Sequence, residues 1–322
     1  MNASRVEAGD AEASASRRFV AVLMAVRDGE RYLAQQLSSL ACQRSVRIDL
    51  WISDDGSSDA SVKIIREVAQ TWTPGRVQLV DGPRSGFAEN FRSLIVRADI
   101  EADFYAFCDQ DDVWSDDKLA HAVEWLETQP PGHPALYCSR TRIISAEGET
   151  VAHSPLFRRA PSFRNALVQS IAGGNTMVMN RAAHAIVMEA SRRSGFVSHD
   201  WWCYLIVSGA GGTVHYCPDS RIGYRQHEDN LVGQNNTWGA RMSRLGFLIR
   251  GRFKDWNDAN LAGLAACADL LTDDARQVLA SFSESRSRKF PGRLRSLWRS
   301  GVYRQTVIGQ FGLYVACAIG RL

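Results

Sequence analysis

The chain has 322 residues, of which 45% are hydrophobic and 23% charged, a composition typical of a globular protein with one large domain or two ordinary ones. Its net charge of +3 indicates no particular partner. No run of about 20 apolar residues is present, which argues against a membrane-spanning helix, and no recognised binding motif for nucleic acid occurs, so we expect no nucleic-acid partner.

The seven cysteines and the N-terminus bear on the cellular compartment. The number of cysteines is odd, and neither a CxxC pair nor a Cys/His zinc spacing occurs, so we expect reduced cysteines in a cytoplasmic protein. The first residues, MNASRVEAGDAEASASRR, are small and polar and contain no apolar stretch of the signal-peptide type. We therefore predict a disordered N-terminal tail over 1–17 and no secretion.

Strands and helices alternate in the first part of the chain. The apolar run FVAVLMAV at 19–26 is typical of a strand buried in a parallel sheet. The helix predicted over 59–72 has Ser57 or Ser58 as a candidate cap. The other elements of this series are helices over 30–42, 87–98 and 118–128 and strands over 46–53, 77–80 and 103–108. Such alternation predicts an α/β fold with a mostly parallel, Rossmann-like sheet and helices on both faces.

Beyond Pro134 the pattern is less regular. Strands are predicted over 135–144, 176–179, 213–217 and 221–226, with one helix after the second strand and another from His199 to Ser208. From Trp238 onward the chain is predicted to be helical and increasingly basic.

Two acidic stretches follow predicted strands. DDGSSD starts at Asp54 and DQDD at Asp109, and ligands of such sheets bind at the carboxyl ends of the strands, so we expect the two stretches to converge. Asp109 and Asp111 offer the hard oxygen ligands that Mg²⁺ or Mn²⁺ prefers. The alternative is a solvated acidic turn in which Asp116 or Asp117 caps the next helix. Likewise, DDGSSD either accepts hydrogen bonds from a nucleobase or ribose or caps a helix.

Four stretches in this order resemble the family 2 glycosyltransferases with the GT-A fold: FVAVLMAVRDGERYLAQQLSSL, LWISDDGSSD, GFAENF and FCDQDDVWSDDKL. The continuation SHDWWCYLIVSGAGGTVHYCPDSRIGYRQHEDNLVG is similar to the rhamnosyltransferase-type branch of that family. The resemblance runs from about Phe19 to Gly233. It implies an inverting transfer of a sugar from a nucleoside diphosphate to an acceptor hydroxyl, with Mg²⁺ or Mn²⁺ as the cofactor.

The resemblance also implies a donor-nucleotide site. Its positions in this chain are Ala25, Val26, Arg27, Asp54, Asp55, Arg84, Asn90, Asp109 and Gln110. Asp54 and Asp55 match the acidic pair that holds base and ribose. Many members of the family have Thr-Tyr-Asn where this chain has Val-Arg-Asp at 26–28, so the contact of Arg27 departs from the family pattern.

The resemblance assigns the metal and the chemistry to residues farther along the chain. Asp109 and Asp111 match the DxD pair, with Asp111 as the direct metal ligand, and His227 matches a position beside the diphosphate or the metal. Asp200 matches the catalytic base.

The acceptor side is predicted from the residues around this base, namely Gly174, Trp201 and Trp202. From the residues alone, Asp200 also fits a helix N-cap and the two tryptophans fit ordinary core packing. Gly174 either leaves space for the acceptor sugar or belongs to a turn.

The C-terminal segment raises a separate question. Residues 281–322 hold eight basic residues against one acid, Glu284, a local charge of +7. Basic residues among aromatic and aliphatic ones favour a helix that lies on an anionic bilayer, whereas packing on the catalytic domain and a dimer contact are the alternatives. We predict a GT-A domain over 18–236 and a helical extension over 237–322, whose association with a membrane is left open.

The leading hypothesis is a glycosyltransferase at the inner face of the cell membrane. It would move rhamnose from dTDP-rhamnose to a saccharide or lipid-linked saccharide in cell-surface polysaccharide or O-antigen assembly. The alternatives are the same fold with another hexose from a UDP-sugar, a non-catalytic membrane-associated relative, and a metal-dependent nucleotidyltransferase. MAVRDGE is a poor match to the Gly-rich, basic phosphate loop of the last class.

Overall fold

The computed structural model describes residues 18–226 and 252–322. The predicted N-terminal tail over 1–17, His227 and the beginning of the predicted helical extension lie outside the described residues.

Nine strands of the described part of the chain form one mixed sheet. Their order across the sheet is β3-β2-β1-β4-β8-β6-β9-β5, and β7 pairs with β6 outside this path. The strands are β1 (Arg18–Val26), β2 (Val46–Asp54), β3 (Val77–Asp81), β4 (Phe104–Cys108), β5 (Val113–Trp114), β6 (Ala135–Ile144), β7 (Thr150–His153), β8 (Val178–Asn180) and β9 (Thr213–Arg225).

Helices cover both faces of this sheet. They are α1 (Glu30–Ala41), α2 (Ser61–Thr71), α3 (Phe87–Ile95), α4 (Lys118–Glu127), α5 (Phe163–Ala166), α6 (Arg181–Arg193), α7 (His199–Gly209), α8 (Arg252–Ala266), α9 (Asp273–Ser287), α10 (Gly292–Ser300) and α11 (Val307–Ala318). Short 3₁₀ turns lie at Gly174–Thr176 and Ala268–Leu270.

The first half of the sheet is parallel, as the alternation of elements predicts. Strand β1 lies between β2 and β4 and is parallel to both, and β3 continues the parallel arrangement beyond β2. The α/β architecture is therefore confirmed. Beyond β4 the sheet becomes mixed, because β8 runs antiparallel to both β4 and β6.

Side chains of β1 alternate between two hydrophobic cores, one on each face of the sheet. Ala21 and Leu23 face a core that contains α3, α6 and α7, whereas Val20, Val22 and Met24 face a core that contains α1 and α4. Because successive residues of a strand point to opposite faces, a continuous apolar run such as FVAVLMAV is the pattern required for a strand covered on both sides.

Strand β9 differs from the prediction. The sequence pattern predicts two strands, over 213–217 and 221–226, but one strand runs from Thr213 to Arg225. Its pairing with β6 shifts between Cys217, opposite Ser139, and Ser220, opposite Arg140. Pro218 lies within this irregularity, where its missing N–H removes no ladder hydrogen bond.

The C-terminal helices pack on the outer side of α6 and α7. Leu264, Phe282, Leu297 and Leu313, one from each of the four helices, are buried in the same core as Trp202 of α7. One face of the C-terminal segment therefore packs on the domain that contains the sheet, as one of the alternatives from the sequence predicts. Among the described residues, none of the helices combines the length and apolarity needed to cross a bilayer.

Candidate active site

The carboxyl ends of β1, β2 and β4 meet at one edge of the sheet. Val26 at the end of β1 pairs with Asp54 at the end of β2, and Met24 pairs with Cys108 at the end of β4. The loops that follow these strands contain both acidic stretches. Residues that are about 50 positions apart in the sequence are thus brought to the same edge of the sheet.

The two carboxylate oxygens of Asp54 differ in their hydrogen bonding. Its Oδ2 accepts hydrogen bonds from the backbone N–H groups of Gly56 (3.3 Å) and Ser57 (3.1 Å). Its Oδ1 is buried and has no hydrogen-bond partner among the described residues. A buried acceptor without a donor is costly, so this oxygen is suited to receive an N–H or O–H from a ligand.

Asp55 is buried and faces the protein. Its carboxylate accepts the backbone N–H of Arg84 at 2.6 Å and that of Gly86 at 3.0 Å, and it lies 4.0 Å from Nη1 of Arg27. These bonds hold the 82–86 loop against the end of β2. Arg84 has a φ of 57° within this loop, a conformation that a side chain other than glycine adopts only when its surroundings fix it.

The serines of DDGSSD bind the loop after β1 and do not cap the following helix. Helix α2 starts at Ser61, and the residue before it makes no side-chain cap bond. Instead, Ser57 Oγ accepts the backbone N–H of Asp28 (2.9 Å), and Ser58 donates its N–H to the carboxylate of Asp28 (2.7 Å). The capping prediction for Ser57 and Ser58 is therefore wrong, because Asp28 competes for the same groups.

Gln110 and Asn90 fix backbone around the predicted nucleotide site. Gln110 accepts the N–H of Arg27 at 2.8 Å and donates to its carbonyl at 3.0 Å. Asn90 is buried and donates to the carbonyl of Ser53 at 3.0 Å. Both side chains therefore support the loops at the edge of the sheet. Ala25 and Val26 are the last residues of β1, with Val26 buried.

Asp109 lies in a concentration of negative charge. Burial, followed by the charges of Asp111 and Asp200, raises the pKa of Asp109 to about 7, and Lys118 partly opposes this shift. No side-chain hydrogen bond to the carboxylate of Asp109 occurs among the described residues. A divalent cation would remove this repulsion, and the donor set of hard carboxylate oxygens fits Mg²⁺ or Mn²⁺.

Asp112 is hydrogen-bonded within the protein. It is fully buried, and its carboxylate accepts hydrogen bonds from Asn175 Nδ2 and from the backbone N–H of Arg225. Burial, with the charges of Asp111 and Asp109, raises its pKa well above the ordinary value. Asp112 thus joins the acidic loop to β9.

Asp117 occupies the N-cap position of α4, but neither its side chain nor that of Asp116 makes a capping hydrogen bond. Asp116 forms an ion pair with Arg44, and Asp117 lies 3.0 Å from Arg221 Nε, whereas no side chain caps the first turn of the helix. The capping alternative for Asp116 and Asp117 is therefore wrong.

Arg225 holds the backbone of the acidic loop and was not identified from the sequence. Its buried guanidinium donates to the carbonyls of Asp111 (2.9 Å) and Ala146 (2.6 Å) and to Gln35 Oε1 (2.6 Å), and it lies over the ring of Tyr32. The only signal in the sequence is an arginine at the end of an apolar strand pattern.

Lys118 is a second overlooked residue. Its ammonium group is buried 3.2 Å from the ring centroid of Trp114 and has no hydrogen-bond partner among the described residues. Burial lowers its pKa to about 7, against the opposing effects of Cys108, Asp112 and Asp109. A buried cation beneath the acidic loop offsets part of the negative charge of that loop.

Asp200 lies in the first turn of α7, one residue beyond the first helical residue, so it does not occupy the predicted N-cap position. Ser170 donates a hydrogen bond to its Oδ2 at 3.3 Å, and its charge acts on Asp109. A carboxylate in the first turn of a helix is stabilised by the helix dipole. The tertiary fold thus brings Asp200 close enough to Asp109 for the two charges to interact.

The side chain of His199 explains why residue 174 is a glycine, without any space being reserved for an acceptor sugar. Its ring stacks on Phe91 with the centroids 3.8 Å apart, and burial lowers its pKa to about 4. A Cβ at residue 174 would lie 1.8 Å from His199 Nε2. The side chain of His199 therefore fills the space beside Gly174.

The two tryptophans after Asp200 belong to the core. Trp201 donates to the carbonyl of Ala166 at 2.6 Å and stacks on Phe253. Trp202 is 0% exposed and donates to Ser191 Oγ at 3.2 Å, so it has no surface open to an acceptor. Their packing anchors the helix that presents Asp200.

The fold, with carboxylates at the carboxyl ends of parallel strands and a further carboxylate on a facing helix, defines the GT-A class of sugar-transferring enzymes. Residues 21–186 match the model of the family described as Glycosyl transferase family 2. This match covers more than half of the chain, so the chain belongs to family 2 and is a glycosyltransferase.

Two curated relatives are similar to this chain over most of its length, and one of them is named as a sugar transferase. The dTDP-rhamnosyl transferase RfbG of Shigella flexneri is 26% identical over 238 residues, which are 71% of this chain and 80% of that protein. An uncharacterized protein of Mycobacterium tuberculosis is 26% identical over 210 residues, which are 63% of this chain and 57% of that protein.

Solved structures share the fold. TarS 1–349 of S. aureus superposes with a TM-score of 0.54 at 14% identity, covering 94% of this chain and 88% of that chain. The complex of the same fragment with UDP-GlcNAc gives a TM-score of 0.51 at 14% identity, over 89% of this chain and 93% of that chain.

Proposed function

We propose that the chain is an inverting, metal-dependent rhamnosyltransferase that moves rhamnose from dTDP-rhamnose to an acceptor hydroxyl in cell-surface polysaccharide or O-antigen assembly. The similarity to the dTDP-rhamnosyl transferase of Shigella flexneri supports the choice of donor. The proposal depends on one observation: Asp200 lies close enough to Asp109 for the charges of the two carboxylates to interact.

The donor nucleotide would bind at the ends of β1 and β2. The open Oδ1 of Asp54 would accept a hydrogen bond from the base or ribose. Asp55 would act through the 82–86 loop, whose backbone it holds in a conformation that keeps Arg84 beside Gly56. Gln110 would keep Arg27 and its backbone in place at the end of β1.

Asp109 and Asp111 would hold Mg²⁺ or Mn²⁺, and His227, which lies outside the described residues, is proposed as a further ligand. When bound, the metal would offset the negative charge that develops on the leaving diphosphate. Arg225 would keep the Asp111 backbone in place through its bond to that carbonyl. Lys118 would limit the repulsion among the carboxylates before the donor arrives.

Asp200 would act as the general base. The acceptor hydroxyl would give its proton to Asp200 while its oxygen bonds to the anomeric carbon from the side opposite the leaving group. The bond from that carbon to the diphosphate oxygen would break, and its electron pair would leave with the nucleoside diphosphate. The hydrogen bond from Ser170 would orient the carboxylate for this transfer.

The acceptor is proposed to be a saccharide, including one linked to a lipid, and the enzyme to work at the inner face of the cell membrane. The basic and apolar character of the last 42 residues, 281–322, supports this location.

The proposal is tested with purified protein, Mg²⁺ or Mn²⁺, and a panel of dTDP-rhamnose, UDP-glucose, UDP-galactose and UDP-GlcNAc. We expect dTDP-rhamnose with metal to raise the melting temperature most, because a ligand of the native state stabilises it by mass action. Asp111→Asn is expected to weaken this shift. Asp200→Asn is expected to keep the shift and to abolish release of the nucleoside diphosphate in the presence of acceptor.

Two results would contradict the proposal. The donor assignment is wrong if a UDP-sugar gives the larger shift, and the enzyme mechanism is wrong if Asp200→Asn keeps its transfer rate. Lys63→Gln, a change on an exposed lysine of α2, serves as the matched control for loss of one charged side chain.

A further inference from the structure

The exposed apolar side chains of the described residues are concentrated at the C-terminal end. Seven of the eleven large hydrophobic residues that are exposed lie between 290 and 319. They are Phe290, Trp298, Val307, Ile308, Phe311, Val315 and Ile319. An exposed apolar patch of this kind marks an interaction surface.

Helix α11 exposes one complete apolar face. Val307 is 87% and Phe311 71% exposed, and together with Val315 they recur every four residues, which places them along one side of the helix. The exposed Ile319 follows directly after the helix. The opposite side buries Leu313 and Cys317. The helix has 12 residues and no charged side chain, so it is too short to span a bilayer and suited to lie at its surface.

Helix α10 adds a tryptophan between two arginines. Arg295, Trp298 and Arg299 are all exposed. Trp298 and Arg299 follow Arg295 by three and four residues, so both neighbour it on the helix surface. Arg293, at the start of α10, donates to the carbonyls of Cys317 and Ala318 at the end of α11. The start of α10 thus meets the end of α11, and only residues 301–306 connect the end of α10, with Trp298, to the start of α11, which favours an antiparallel arrangement.

The start of α11 is connected to the candidate base. Arg304 donates to the carbonyl of Val168 at 2.9 Å, and the N–H of Gln305 to Gln169 Oε1 at 2.9 Å. The next residue, Ser170, is the hydrogen-bond donor to Asp200. The segment before α11 is thus linked, through residues 168–170, to the serine that hydrogen-bonds Asp200.

We propose that the exposed face of α11, together with Arg295, Trp298 and Arg299 of α10, docks on an anionic phospholipid bilayer. Apolar side chains with tryptophan suit the interfacial region, and arginines suit anionic headgroups. A surface cleft of about 360 Å³ at the start of α11, lined by Arg159 and Phe311 among others, combines both characters.

The charge of the segment favours a bilayer over a second copy of the chain. Arg295 and Arg299 are exposed on this surface, in a segment (281–322) whose net charge is +7, so two copies of the surface in contact would bring like charges together. An anionic bilayer would instead attract the arginines and, at the same time, bury the exposed apolar face of α11. Docking in this way would also bring Asp200 near a membrane-anchored acceptor. Only this last part of the proposal depends on the proposed function.

Sedimentation with vesicles tests the docking without any activity measurement. We expect the full chain to bind vesicles of phosphatidylcholine mixed with an equal amount of phosphatidylglycerol, and to bind pure phosphatidylcholine weakly. Val307→Ser/Phe311→Ser should lower binding about tenfold, because two side chains no longer enter the bilayer. The matched control is Val151→Ser/Leu156→Ser, which alters two exposed apolar residues elsewhere.

A second pair of variants tests the charges. Arg295→Gln/Arg299→Gln should reduce the preference for anionic vesicles, whereas Lys63→Gln/Arg66→Gln, on exposed positions of α2, should leave it unchanged. Equal binding of both vesicle types by the wild-type chain, or undiminished binding by Val307→Ser/Phe311→Ser, would overturn the proposal. So would a dimer, detected by light scattering, that Val307→Ser/Phe311→Ser converts to a monomer.

The outcome is separable from that of the proposed function. Vesicle binding is measured without donor or acceptor, whereas donor binding is measured without vesicles. Loss of vesicle binding with intact donor binding would reject the docking surface alone, and the reverse result would reject the proposed function alone.

Discussion

Asp54 and Asp55 are adjacent in the chain, but their carboxylates face different partners. Asp55 accepts two backbone N–H groups of the 82–86 loop, whereas Asp54 keeps its buried Oδ1 open. The sequence pattern assigns both to the nucleotide. In the structure, Asp54 is the residue that can contact a ligand, whereas Asp55 holds the neighbouring loop in place.

The first prediction follows from this separation. Asp55→Asn should lower the free energy of unfolding by about 2 kcal/mol, because one oxygen that accepts a backbone N–H becomes an NH₂ group. Asp54→Asn keeps an oxygen for Gly56 and Ser57 and should cost less than about 1 kcal/mol, yet weaken donor binding. Urea unfolding and donor-induced thermal shifts measure the two effects. Equal stability of the two variants would contradict the division of roles.

The turn at Gly174–Thr176 packs closely on α7 where Gly174 contacts the ring of His199. Gly174→Ala should destabilise the protein by about 2 kcal/mol or more, since a Cβ 1.8 Å from His199 Nε2 forces one element to move. Gly292→Ala is the control, because a Cβ there would have its nearest neighbour at 3.6 Å. Thermal unfolding compares them, and a Gly174→Ala variant as stable as Gly292→Ala would refute this packing.

At the scale of whole elements, α6 packs on β4 through a neutral histidine. The ring of His184 stacks on that of Tyr105 with the centroids 3.6 Å apart, and burial lowers the pKa of His184 to about 4. The ordinary pKa of a histidine is about 6.5, so the unfolded chain binds this proton more readily than the native one.

The third prediction is a loss of stability in acid. The contribution of a neutral His184 is complete above about pH 6.5 and is lost as the pH falls toward 4, by up to about 3 kcal/mol. His184→Phe should flatten the pH dependence of the unfolding free energy over this range, as measured by urea titrations at a series of pH values. An unchanged slope would show that His184 is not buried in its neutral form.

For the molecule as a whole, the question is whether the C-terminal helices fold with the sheet. Phe282 of α9 is 0% exposed and shares a core with Trp202 of α7, whereas Phe290, eight residues later, is 64% exposed. The predicted boundary near residue 236 thus separates two stretches of sequence that contribute to one core.

The fourth prediction compares these two phenylalanines. Phe282→Ala should destabilise the whole protein by about 3 to 5 kcal/mol and lower a single unfolding transition, because it opens a cavity in the shared core. Phe290→Ala should change the stability by less than about 0.5 kcal/mol. Calorimetry distinguishes the outcomes: two separate transitions, with only one affected by Phe282→Ala, would indicate an independent C-terminal unit.

Much of this molecule is determined by local sequence. Strands β1 to β4 and helices α1 to α4 follow from apolar runs and helical periodicity, because a strand covered on both faces must be apolar throughout and an amphipathic helix must repeat its apolar positions. The family and the acidic stretches follow from motifs whose order is itself informative. Because the alternation of elements predicts parallel strands, the sequence also places these stretches at one edge of the sheet.

The partners of individual side chains depended on tertiary structure. By sequence Ser57 and Ser58 could cap the next helix, whereas in the structure they hydrogen-bond Asp28 of a distant loop. Lys118 and Arg225 are ordinary charged residues in the sequence, but the fold buries them under the acidic loop, where desolvation and neighbouring carboxylates define their roles. Local pattern determines which element forms, whereas contacts between distant segments determine what each polar group faces.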